Sequence, residues 1–172
     1  MKVEDFEHKP GVHCGSVAMA NLLRWAGIEL SEAMVFGLGS GLGFFYLTSE
    51  HASPSRQLIG RGPNLEADAA EALGLELIEH RTDDPEEAWE EVRQRLESGR
   101  PVMAQCDLSE LPYWDSSTPF NGHRIVLVGW DETADEVLVV DAHFEQLQRL
   151  DREALHRARA SDASPSFGNQ FA

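Results

Sequence analysis

Cys14 opens the apolar run Cys14-Gly15-Ser16-Val17-Ala18-Met19-Ala20-Asn21-Leu22-Leu23, just after Gly11 and His13. A helix starting there leaves the cysteine N–H among the donors of its first turn, and the helix dipole favours the thiolate. A thiolate is a nucleophile, and the same N–H can bind an oxyanion growing on the carbonyl it attacks. Far downstream, Gly122-His123-Arg124-Ile125-Val126-Leu127-Val128-Gly129-Trp130-Asp131 and Val137-Leu138-Val139-Val140-Asp141 read as neighbouring strands. His123 heads the first strand and Asp141 ends the second, and a hairpin turn over 131–136 brings the two ends together. An imidazole oriented by a carboxylate is the base such a thiol needs. Singly, each residue has a plainer reading: a small buried thiol, a hydrogen-bonded core histidine, a turn cap. Jointly, on these elements, they make a Cys-His-Asp nucleophilic site.

The elements around these residues follow from pattern and punctuation. A buried helix is predicted from Cys14 to Ala26, stopped by Gly27. Ser31 caps a short helix through Phe36, which dissolves into Gly37-Leu38-Gly39-Ser40-Gly41-Leu42-Gly43 and a strand over 44–47. Asn64 caps a helix from Leu65 to Leu73, and 75–80 reads as a strand. Asp84, Pro85 and Glu87 start a helix as N-cap, first residue and capping-box partner, and Gly99 ends it. A strand over 101–107, a loop over 108–121 and a last helix from Asp151 to Arg159 complete the chain. Helices crowd the first half and strands the second, so the class is α+β. Length and the lack of a linker point to one domain over 1–172.

Composition excludes several roles. There are 30 Asp and Glu against 14 Lys and Arg, a formal charge of -16, so nucleic acid is not an expected partner. Field attraction of a cationic partner and adaptation to a salty cytoplasm both account for the excess of acid. The near-absence of lysine favours the halophilic account. No apolar stretch approaches a membrane span, and residues 1–10 lack the apolar block of a secretory signal. Two cysteines without Cys-x-x-Cys spacing suit a reducing, cytoplasmic setting.

The strand pair headed by His123 resembles the His/Asp half of papain-like and bacteriocin-leader cysteine peptidases. His13-Cys14-Gly15-Ser16, followed by Phe36-Gly37-Leu38-Gly39-Ser40-Gly41-Leu42-Gly43-Phe44, resembles the N-terminal domain of butirosin biosynthesis protein H, an acyltransferase family. Gly60-Arg61, Leu65-Glu66, Glu87-Ala88-Trp89 and Leu111-Pro112-Tyr113 extend the likeness over nearly the whole chain. The resemblance implies a papain-like cysteine-protease fold, with N-terminal helices packed on an antiparallel sheet. It also implies transfer of an acyl group from a carrier-protein or other acyl thioester to a small-molecule amine, without a cofactor. Cys14 is then the nucleophile, His123 the base and Asp141 its orienter. Where related peptidases place an oxyanion-binding glutamine, six residues before the cysteine, this chain has His8, expected to donate from its ring. Family members often continue into a second domain, so the acceptor site is expected to be missing or supplied by another protein. Water in place of the amine makes the same site a peptidase or amidase, and a non-catalytic binding domain of this fold is a third reading.

The remaining candidates are weaker. Gly15 is expected to give substrate access to the backbone. The glycine-rich run lacks the Gly-Lys-Ser/Thr of a phosphate loop and follows a helix, so nucleotide binding is rejected. Its family position makes Ser40 and Gly41 a wall of an acyl channel, and Arg61 an anchor for an anionic group. Tyr113 and Trp114 read as the rim of a site. Cys106 reads as a core thiol. The scattered His and Cys residues lack metal-ligand spacing, and no metal is expected.

Overall fold

The computed structural model describes residues 1–172 except 49, 51–54, 61–63, 164–168 and 172. In chain order its elements are α1 (Cys14–Trp25), α2 (Glu32–Leu38), β1 (Phe44–Thr48), β2 (Arg56–Gly60), α3 (Leu65–Ala72), β3 (His80–Thr82), α4 (Pro85–Glu97), β4 (Val102–Cys106), β5 (His123–Asp131), β6 (Glu136–Asp141), β7 (Gln148–Asp151), α5 (Arg152–Ala160) and β8 (Asn169–Phe171). Six strands form one antiparallel sheet in the order β3-β8-β4-β5-β6-β7, and β1 and β2 form a separate hairpin. Ile125, Val126, Leu127 and Val128 are all fully buried, so the centre of the sheet is covered on both faces. Helices α1 and α4 both pack on β5, and α5 packs on β4 and β7. The expected layering of N-terminal helices on an antiparallel sheet is present, with α4 and α5 added to it.

Most predicted elements form where their signals stand, with instructive departures. Asp84 does cap α4, its carboxylate accepting from the N–H groups of Glu86 and Glu87. Glu87 instead accepts from the Thr82 hydroxyl, which itself accepts the Asp84 N–H, so a threonine stands inside the expected capping box. Asn64 makes no side-chain cap bond to α3. Residues 75–79 are not strand, and pairing begins only at His80. Strands β2 and β7 were not legible from alternation, because each is short and held mainly by its neighbour. On the hairpin, Phe44, Tyr46 and Leu58 share one exposed face.

One irregularity decides what the sheet presents. At the turn end Asp131 pairs with Glu136, Trp130 with Val137 and Gly129 with Leu138. Beyond Val128 the register slips by one, and Leu127 pairs with Val139 and Ile125 with Asp141. Had the turn register continued, Asp141 would lie opposite Val126 and face away from His123. The extra residue turns Asp141 to the face that His123 and Ile125 share, two positions along the strand from His123. The N-terminal segment holds this bulge: Val3 donates to the Val128 carbonyl at 2.7 Å, and Lys2 bridges to Gly129. A Cβ on residue 129 would fall 2.6 Å from the Met1 carbonyl oxygen and 2.9 Å from Lys2 Cα, so the crossing requires glycine.

Candidate active site

Cys14 is the first residue of α1, and His13 is the N-cap. Nδ1 of His13 accepts the Ser16 N–H at 3.1 Å, and its ring lies edge-on to Phe36 with centroids 5.2 Å apart. Glu32, the first residue of α2, reaches across and accepts the N–H groups of Val12 and His13, the latter at 2.8 Å. The start of the cysteine helix is therefore pinned by a histidine cap and by a carboxylate at its positive end.

His123 and Asp141 meet in the interior. Nε2 of His123 lies 2.7 Å from Oδ2 of Asp141, with both side chains almost wholly buried. The Cys14 side chain is close enough to the His123 ring to act on its protonation. With Nε2 engaged by Asp141, Nδ1 is the nitrogen left for the sulfur. Burial alone would lower the His123 pKa, but Asp141 and Cys14 outweigh it and raise the value to about 9. Burial would raise that of Asp141, but donors from His123, Trp114 and Tyr113 hold it below the ordinary carboxylate value. Neither Tyr113 nor Trp114 simply rims the site: the Tyr113 hydroxyl at 3.1 Å and the Trp114 indole N–H at 2.8 Å both donate to Asp141 Oδ2. Their place in the 108–121 loop carried no signal for that role.

A second polar network links the residues that follow the cysteine and the histidine. Arg124 Nε donates to Glu66 Oε1 on α3 at 3.0 Å, and Arg124 also donates to Gln105 of β4. Glu66 is buried against Gly15, where a Cβ would meet Oε1 at 2.7 Å. Gly15 thus leaves room for the Glu66–Arg124 pair, a packing role beside the backbone access expected of it.

The other expected binding residues stand as follows in the fold. His8 does not serve the sulfur: Nε2 donates to the Phe144 carbonyl, and Nδ1 accepts from the Asn21 amide at 3.3 Å. Asn21 lies seven residues beyond Cys14, about 10 Å along α1, so His8 has no ring N–H left for an oxyanion there. Ser40 and Gly41 close the C-terminal end of α2. Gly41 N–H bonds the Phe36 carbonyl at 2.8 Å, Ser40 N–H bonds that of Gly37 at 3.2 Å, and Ser40 sits at φ 57. This is a Schellman closure with serine in the left-handed position. Gly41 is buried against the Phe36 ring, and Ser40 is exposed. Arg61 lies outside the described residues.

Cys106 is fully buried opposite His123, and burial pushes its thiol up to about 12. Among the described residues no group of three His, Cys, Asp or Glu side chains is arranged to hold a metal ion, and no helix is long and apolar enough to cross a membrane. A cavity of about 410 Å³ lies farther along α1, lined by Lys9, Asn21, Arg24, Glu29 and Glu32 among others. Neither Cys14 nor His123 lines it, and Glu29 pairs with both Lys9 and Arg24.

The architecture is the papain-like cysteine-peptidase fold. The chain is similar to the solved peptidase domain of Streptococcus ComA, a bifunctional ABC transporter involved in quorum sensing, with a TM-score of 0.59 and 14% identity. The similarity covers 97% of this chain and 96% of that one. The family described as butirosin biosynthesis protein H, N-terminal, matches residues 13–142, and the chain belongs to it. No curated protein sequence matches the chain.

Proposed function

We propose that the protein is a cysteine-dependent acyltransferase that moves an acyl group from a carrier-protein or other thioester to an amine through a Cys14 thioester. The observation that carries this reading is the buried His123 ring bonded to Asp141 at 2.7 Å, with the Cys14 side chain close enough to act on the same imidazole. Membership of the butirosin biosynthesis protein H family supports an acyl thioester as donor.

In the acylation step His123 holds the proton released by the Cys14 thiol, and the sulfur bonds to the thioester carbonyl carbon. The carbonyl oxygen takes up negative charge against the N-terminus of α1, where the Cys14 N–H is a first-turn donor. Collapse breaks the donor C–S bond, and His123 returns the proton to the departing thiolate. An amine then attacks the Cys14 thioester, His123 removes one amine proton, and the Cys14 sulfur leaves and is reprotonated. Asp141 keeps Nε2 protonated and stabilises the imidazolium throughout. Similarity to a peptidase domain favours a second reading, in which water is the attacking group and a peptide the donor.

Incubation with panels of acyl thioesters and peptides, followed by intact-mass measurement, tests both. An acyl adduct on Cys14 discharged faster by amines than by water is the expected result. A peptide-derived acyl-enzyme selects the peptidase. No adduct, together with no rapid alkylation of Cys14 near neutral pH, removes both and leaves a binding domain.

A further inference from the structure

We infer that Trp114 and Tyr113 are positioning residues for the Asp141–His123 pair, holding the carboxylate in the orientation that keeps the imidazole facing Cys14. This rests on the catalytic reading above. Three donors converge on one oxygen: His123 Nε2 at 2.7 Å, Trp114 Nε1 at 2.8 Å and Tyr113 OH at 3.1 Å from Asp141 Oδ2. The other oxygen, Oδ1, is buried and accepts no hydrogen bond from the described residues. No hydrogen bond among the described residues fixes that side, so the polar anchoring of the carboxylate comes from the donors that share Oδ2.

The loop that supplies two of them is built to hold still. Its ends are joined by the Leu108 N–H to Phe120 carbonyl bond at 3.0 Å. Asp107 closes the base, accepting from the N–H groups of Ser109 and Phe120 and from the Ser161 hydroxyl. Pro112 opens the short turn that carries both aromatics, and Asp115 leaves it in the left-handed region at φ 48. The Trp114 ring packs edge-on against His123 at 5.3 Å, and against His143 and Phe144. One side chain thereby donates to the carboxylate and covers the imidazole, excluding water from the bond between them.

Trp114→Phe keeps an aromatic ring but deletes the N–H and part of the indole surface, whereas Tyr113→Phe deletes a single oxygen. A hydrogen bond to a buried charge accounts for roughly a tenfold effect. Iodoacetamide alkylation of Cys14 near neutral pH is expected to slow about tenfold in W114F and less in Y113F. The downfield Nε2–H resonance of His123 should move upfield or broaden in both. In an Asp141→Asn background neither change should slow alkylation further, because the carboxylate they act through is gone. Trp130→Phe, which alters a tryptophan packed on Trp89 away from the site, serves as a control for packing alone. Wild-type alkylation and an unmoved resonance in folded W114F would overturn the inference, as would a full tenfold loss added on top of D141N. Should W114F not fold, Y113F decides by the same two measurements. Alkylation indifferent to both Asp141→Asn and His123→Ala would sink the catalytic reading instead, and the His123 resonance alone then decides the positioning role.

Discussion

Replacing Gly15 by alanine tests whether the residue after the cysteine is there for packing. The added methyl would stand 2.7 Å from Glu66 Oε1, where ordinary contact begins at 3.4 Å, so the carboxylate must retreat by about 0.7 Å. Arg124 Nε holds that oxygen at 3.0 Å. A retreat that carries it away from Arg124 stretches that bond to about 3.7 Å and breaks it. Arg124 can follow only by leaving Gln105. A charge-assisted bond contributes about 1.5–3 kcal/mol, and alanine returns up to about 1 kcal/mol of helix propensity. The net loss is then about 0.5–2 kcal/mol, or roughly 1–8 °C of Tm for a chain of this size. Thermal unfolding at fixed pH and salt measures it. In a Glu66→Asp background the shorter side chain makes room for the methyl, so the Gly15→Ala penalty should vanish there. Gly15→Ala melting with the parent protein, or an undiminished penalty in the E66D background, would refute the packing account.

Ser40→Gly should raise stability by up to about 1 kcal/mol, because a Cβ is unfavourable in the left-handed position that closes α2; denaturant melts measure the gain. Gly129→Ala should cost about 2–3 kcal/mol, since the added Cβ meets Met1 and Lys2 backbone that cannot step aside. Hydrogen exchange should then show Val3 losing protection and alkylation of Cys14 slowing with it. Stability should also depend on pH through the buried pair. His123, raised to about 9, contributes fully below its ordinary value of 6.5, and that contribution is lost as pH rises toward 9. Asp141, lowered, contributes above the ordinary 3.8 and loses that contribution in acid. Melts across pH should show both limbs, with His123→Gln flattening the alkaline one.

Much of the site was legible because its signals are local. A cysteine placed at the head of an apolar run, a histidine heading one strand and an aspartate ending the next are facts of residue type and spacing. Asp84, Pro85 and Ser31 likewise start helices by bonding to N–H groups two or three residues away or by fitting the first turn. The glycine-rich run was read as a channel wall from its family position; glycine type alone gave no sign that Gly39 and Gly41 make room for the Leu65 carbonyl and the Phe36 ring. His8 misled, since its neighbours Asn21 and Phe144 are brought to it only by folding.

The chain by itself determined which side chains could act and which elements carry them, because helix starts and strand alternation are set by residues a few positions apart. Tertiary structure alone decided that Asp141 faces His123 and what holds it there. Side chains alternate along a strand, so one extra residue at Val128 reverses the face of all that follows. That bulge is held by a segment more than a hundred residues away, and the carboxylate is steadied by an indole from a loop whose spacing carries no sign of it.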